Sequence, residues 1–140
     1  MDRLNWAGII AGAVVAATIN LGAGFLFPTS NGGAADPATL ASIVVSFLAY
    51  GLGGYIAGRM SGEAGGLNGL MVAVIGFAIG IMLGIILSVV IALAGVRFRQ
   101  PEPDAVNVGA LLAVAGISLA LTFVGGYAGG KLGERSSTSV

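Results

Sequence analysis

The sequence predicts an all-α membrane protein of four transmembrane helices, built as two parallel-repeated helical hairpins with glycine-zipper packing. Three observations carry this expectation. The chain of 140 residues is 56% hydrophobic and 9% charged, with a mean hydropathy of +0.99. Soluble domains carry about a quarter charged residues, so there is too little polar surface here to face water on all sides. The charges are also clumped: residues 4–27, 38–58, 67–96 and 107–130 contain no Asp, Glu, Lys or Arg. Each window reaches the roughly 20 apolar residues that cross a hydrocarbon core of about 30 Å. Finally, GGYIAGR at 53–59 returns as GGYAGGK at 125–131.

The first helix is expected over about residues 4–27. Asp2 and Arg3 ahead of an apolar run containing Ala-Gly-Ala also fit a signal peptide. That run outlasts the usual apolar region of about 7–15 residues and continues through Phe25, Leu26 and Phe27, which favours a retained span. A turn-rich connection, PTSNGGAAD at 28–36, leads into a second helix over about 38–59. Asp36 and Pro37 read as an N-cap followed by a proline at the first helical position. The polar stretch RMSGEAGGLN at 59–68 separates it from a third helix over about 68–96. RFRQPEPD at 97–104 ends that helix, and a fourth is expected over about 106–131. Residues 134–140 read as a polar, serine-rich tail. The whole of 1–140 is then one transmembrane domain.

Orientation follows from the cations in the short connections. With both termini cytoplasmic, Arg3, Arg59, Lys131 and Arg135 lie inside, and Arg97 and Arg99 outside. That asymmetry satisfies the positive-inside rule. Trp6, Tyr55 and Tyr127 then sit near the inner interface, where aromatic rings gather. The expected location is a bacterial inner membrane.

A shift of 72 residues lays the second half of the chain on the first. Ser46 meets Ser118, Tyr55 meets Tyr127, and Arg59 meets Lys131 under that shift. The same offset carries Gly8, Gly12 and Ala16 onto Gly80, Gly84 and Ser88, so the repeat would relate residues 4–60 to 76–132. Both hairpins start on one side, which makes the repeat parallel, about an axis along the membrane normal.

Within the repeated motif, Tyr55 and Arg59 lie four apart, hence on one helix face. The ring can sit at headgroup level while the guanidinium snorkels outward, and Tyr127 with Lys131 can do the same. Gly54 and Gly58, like Gly126 and Gly130, form a groove that admits another backbone. Residues 125–131 also fit G-x-x-x-x-G-K, the start of a phosphate-binding loop. Leu132 stands where Ser or Thr would hold magnesium, and the segment ends a membrane helix instead of joining a strand to one. Packing is the better reading.

The third helix sorts its residues by size. Gly76, Gly80, Gly84, Ser88 and Ala92 form one i+4 row, beside Ile75, Ile79, Leu83, Leu87 and Ile91. Gly8, Gly12, Ala16, Asn20 and Gly24 form a comparable row on the first helix. Such rows suit close contact between helices in lipid, where there is little hydrophobic drive for association. Asn20 is the polar residue expected deepest in a span. It reads as an interhelical hydrogen bond worth roughly 1 kcal/mol, with a substrate or ion contact as the alternative. Thr18, Ser42, Ser46, Ser88, Ser118 and Thr122 can bond to carbonyls one turn back.

The chain has no His and no Cys, which excludes metal or haem ligation through those side chains and all thiol chemistry. No carboxylate lies in any expected span, whereas proton relays and cation-coupled carriers keep one there. Asp2, Asp36, Glu63, Glu102, Asp104 and Glu134 are scattered over connections and ends without a paired arrangement for acid–base work. The sequence therefore points to a non-catalytic protein without cofactors.

Helix ends such as GGYIAGRMSG, followed by a short connection and a fresh span such as GLNGLMVAVIGFAIG, resemble those of small four-helix integral membrane proteins of bacteria with glycine-rich hairpins. That resemblance implies a class and an origin, and no activity. The expected partners are membrane lipids and other transmembrane subunits, or further copies of the chain; nothing points to nucleic acid. The reading that best fits these features is an accessory or scaffold subunit packing against helices of a larger complex. An oligomeric channel lined by Asn20 and the hydroxyl rows is one alternative. A free-standing membrane-organising or stress-related protein is another.

Overall fold

The computed structural model describes residues 4–26, 37–95 and 108–137. It holds four helices: α1 (Trp6–Leu26), α2 (Pro37–Ser61), α3 (Gly65–Leu93) and α4 (Val108–Ser137). All four are long and apolar enough to cross a membrane, as the charge-free windows predict. Arg3, Asp36, Arg97 and Arg99, and with them most of the positive-inside asymmetry and the cap proposed ahead of Pro37, lie outside the described residues.

Local chemistry sets the ends. Asn5 caps α1: its Oδ1 accepts the Gly8 N–H at 3.0 Å, the third helical donor, which has no carbonyl partner of its own. α2 stops where Gly62 turns to φ 66° and gives its N–H to the Gly58 carbonyl at 3.3 Å, a left-handed C-terminal closure that glycine adopts without strain. Two residues later Ala64 adopts φ 52° and ψ 35° and α3 begins at once. The polar connection expected over 59–68 is thus only three residues long, 62–64. Glycines at 65, 66 and 69 are helical instead of forming a loop. α4 likewise runs past the expected end at 131 to Ser137. The serines of this segment bond back along the helix, Ser136 Oγ to the Leu132 carbonyl at 3.0 Å.

α2 is the central helix, packed against α1, α3 and most extensively α4; among the described residues α1 and α4 are not neighbours. The core is made of small side chains. Ala13, Ala16, Ala57 and Ala73 are fully buried, with Ile9 and Val72 the largest apolar side chains among them. Close backbone approach replaces bulk. A β-carbon on Gly12 would meet the Gly53 carbonyl oxygen, which fixes α1 against α2. On α4 the Gly126 oxygen lies where side chains at Gly54 and Gly69 would project, and the Gly130 oxygen does the same for Gly58 and Gly65. The two copies of the repeated motif therefore pack on each other in parallel, with α3 wedged against the second.

This tight packing occupies one end of the bundle, the end bearing Trp6, Ser61, Gly65 and Ser137. We term it the closed end. Toward the other end, a β-carbon on Gly22, Gly24, Gly80, Gly84 or Gly116 would find nothing within 4 Å. The buried residues of α3 all fall between Gly65 and Gly76. Its 29 residues span about 43 Å, and the half beyond Gly76 projects with few intrachain neighbours. A length above about 30 Å requires tilt or protrusion.

Ala64 provides a local test. A left-handed conformation costs an L-residue roughly 1–2 kcal/mol, while glycine adds some entropy to the unfolded chain. Ala64→Gly is expected to leave stability unchanged or raise it by up to about 1 kcal/mol, measured as the SDS-unfolding midpoint in mixed micelles. Ala64→Val should lower it.

Candidate functional site

Three features of the bundle concentrate polar groups or unfilled surface: a clamp at the closed end, a cavity at mid-span, and the projecting half of α3.

The clamp ties three helix ends together. Asn68 is fully buried. Its Oδ1 accepts the Asn5 N–H at 2.8 Å, and its Nδ2 donates to the Ala64 carbonyl at 3.1 Å. Asn5 Nδ2 in turn donates to the Met60 carbonyl at 2.7 Å. One pair of amides thus joins the start of α1, the end of α2 and the turn into α3. From α4, Glu134 Oε2 accepts the Gly65 N–H at 2.9 Å, placing a carboxylate at the N-terminus of α3, where the helix dipole favours negative charge. Lys131 lies 3.6 Å from the same oxygen. Trp6 and Tyr127 are half-exposed at this end, Tyr55 is partly covered, and Arg59 is exposed and makes no ion pair among the described residues. All five expected anchors therefore lie on one end of the bundle, whatever its orientation.

At mid-span Asn20 of α1 reaches α2. Its Oδ1 accepts the Ser46 hydroxyl at 2.6 Å, and its Nδ2 donates to the Ala16 carbonyl at 3.0 Å. The pair forms one wall of a cavity of about 340 Å³, whose other polar lining is Tyr50, Ser118 and Thr122, with Phe77 on α3. Thr122 satisfies its own hydroxyl on the Ser118 carbonyl at 2.8 Å. Thr18, Ser42 and Ser88 are also bonded within their helices. Ser46 differs: it spends its hydroxyl across the helix gap.

The glycine rows divide. Gly8, Gly12, Gly54, Gly58, Gly126 and Gly130 all face a backbone in another helix, and Gly76 faces the Tyr50 ring. Gly80, Gly84 and Ser88, in the same row as Gly76, are exposed. Gly80 and Gly84 floor an apolar groove of about 420 Å³ edged by Leu21 of α1 and by Leu83 and Leu87.

Sequence reasoning missed Asn5, Asn68, Tyr50 and Glu134. Asn5 was accessible in principle, as an asparagine directly before an apolar run. Asn68 resembles it only in following a leucine, and its burial depends on the tight turn at 62–64. Glu134 acts through a helix distant in sequence. Among the described residues no group of three metal-ligating side chains converges.

Comparison with known protein families, curated proteins and solved structures returned no match. The resemblance to small bacterial four-helix membrane proteins thus holds as far as four membrane-spanning helices, and no family is identified.

Asn68 and Asn20 provide a paired test. Asn68→Leu strands the part-buried Asn5 N–H, at about 1–3 kcal/mol, while the Ala64 carbonyl keeps the Asn68 backbone N–H. The variant is expected to lower stability by about 1–3 kcal/mol in the same unfolding assay. Asn20→Leu removes one interhelical bond worth roughly 1 kcal/mol. A larger loss for Asn20→Leu would contradict this ranking.

Proposed function

We propose that this chain is a non-catalytic integral membrane protein that serves as an accessory or scaffold subunit, offering the projecting half of α3 to a helix of a larger membrane complex. One observation carries the reading. Gly80 and Gly84 stand in open space on the half of α3 that carries no buried residue, beside bulky Leu83 and Leu87. In lipid, helices associate by close contact along such small-residue rows. At the closed end the same device is used within the chain; past Gly76, among the described residues, no atom fills the row at Gly80 or Gly84.

The channel reading has less support. The mid-span cavity ends against the packed half of the bundle, where Ala57, Val72 and Ala73 are fully buried, so a path through one chain would have to part these helices. The finer architecture belongs to the same proposal. We read α2 and α4 as copies of one ancestral helix, supported by pairing of Gly54 with Gly126 and of Gly58 with Gly130, partners 72 residues apart. α1 and α3 have departed from that register, since Gly8 and Gly12 pack on α2 whereas Gly65 and Gly69, not Gly80 and Gly84, pack on α4. A bacterial inner membrane with the closed end cytoplasmic is the placement that the cations Arg59, Lys131 and Arg135 favour.

Purification in mild detergent followed by native mass spectrometry tests the proposal. The wild-type chain should carry larger membrane proteins with it, and Gly80→Leu with Gly84→Leu should reduce that recovery at least tenfold. Because both positions face open space and leucine is the better helix former, the variant's own unfolding midpoint should not fall. Recovery of the wild-type chain alone, with ion conductance when reconstituted in liposomes, would replace this reading by the channel.

A further inference from the structure

The mid-span cavity has hydrogen-bonding capacity that the fold does not use. Tyr50 is 8% exposed and lines the cavity, yet among the described residues its hydroxyl has no hydrogen-bond partner. Its ring lies over Gly76, where any side chain would displace it, so the hydroxyl is held in place by packing. A buried phenol usually finds a partner. The Ser118 hydroxyl, on the opposite wall, also makes no hydrogen bond among the described residues. Asn20 keeps one amide hydrogen beyond the bond to Ala16. Three donors from α1, α2 and α4 therefore line one space, with Phe77 of α3 at its edge.

The chemistry of the walls defines the guest. Among the described residues no charged side chain lines the cavity, so an ion would be left without a counter-charge there in a medium where burying charge is costly. Most of the lining is hydrocarbon, with a few placed polar groups, and about 340 Å³ lies in the usual range of roughly 300–1,000 Å³ for small-molecule sites. Asn20 also lines a cleft between α1 and α3 edged by Leu21, Gly24 and Leu87, next to the cavity, and an apolar chain would be at home along it in a membrane.

We propose that the cavity binds the head of a neutral, single-chain lipid bearing a carbonyl or other acceptor oxygen, with its chain leaving between α1 and α3. Tyr50, Ser118 and Asn20 donate to the head, and Phe77 packs on it. The residues that hold the head are not among those lining the Gly80–Gly84 groove assigned to a partner helix, whereas the path of the chain shares Leu21 and Leu87 with that groove.

Binding of two probes to the full chain in nanodiscs tests this: a decyl-substituted benzoquinone, with ring carbonyls, and a monoacylglycerol, with an ester carbonyl and hydroxyls. At least one should bind saturably, and the preferred one reports which head the cavity takes. Tyr50→Phe and Ser118→Ala should each weaken that probe about fivefold, the loss of one hydrogen bond, with unfolding midpoints near wild type. Absence of saturable binding by both probes, or equal affinity for wild type, Tyr50→Phe and Ser118→Ala, would overturn the proposal.

Discussion

Two carbonyl groups of α4, those of Gly126 and Gly130, stand where three helices meet, and the rest of the bundle depends on that meeting. Each oxygen lies in the space that a side chain on α2 and another on α3 would claim. In water, a core of alanine and glycine would bury too little apolar area to hold four helices. In lipid the apolar solvent removes that driving force for any side chain, large or small. What remains is contact between atoms, each pair worth only about 0.1–0.2 kcal/mol but many pairs at once. Glycine maximises their number by letting backbones touch.

The arrangement of the chain follows from where this contact can be made. Near the closed end all helices carry glycine or alanine on their inner faces, and the axes converge. The polar clamp of Asn5, Asn68 and Glu134 then satisfies helix-end donors that converge there, so the tightest part of the bundle is also the most thoroughly hydrogen-bonded. Farther along, the Tyr50 ring fills the space over Gly76 between α2 and α3, and Phe77 and Leu119 line the cavity beside it. Beyond Gly76 no residue of α3 is buried. One design choice, glycine at one end and bulk in the middle, thus produces both an internal site and an external face.

The number of spans and their approximate positions were legible because charge exclusion from a bilayer is local in sequence and needs no knowledge of partners. That Gly54 and Gly58 could offer a groove follows from their spacing alone, whatever fills it. That Gly126 and Gly130 fill it could not be read, since spacing within a helix says nothing about which helix lies opposite. The row Gly76, Gly80, Gly84, Ser88 looked uniform in sequence and is divided in space, because Tyr50 covers its first member and no helix reaches the others. The end of α4 was misplaced for a different reason. Serine is a weak signal either way, and here Ser136 and Ser137 turn their hydroxyls back onto helix carbonyls. Asn68 shows the same limit, since a tight turn at Ala64 converts a residue of a polar stretch into the most buried side-chain amide among the described residues.

The dependence on backbone contact is tested most directly by adding a single methyl group to α4 at two places. Alanine is better than glycine in a helix by about 0.8–1.0 kcal/mol, so Gly116→Ala, in open space, should raise the SDS-unfolding midpoint or leave it unchanged. Gly130→Ala gains the same propensity but drives the methyl group toward the Gly65 backbone. Overpacking of a tight site costs about 1–3 kcal/mol or more, so its midpoint should fall clearly below wild type. Equal stability for the two variants, or a stabilised Gly130→Ala, would contradict the account.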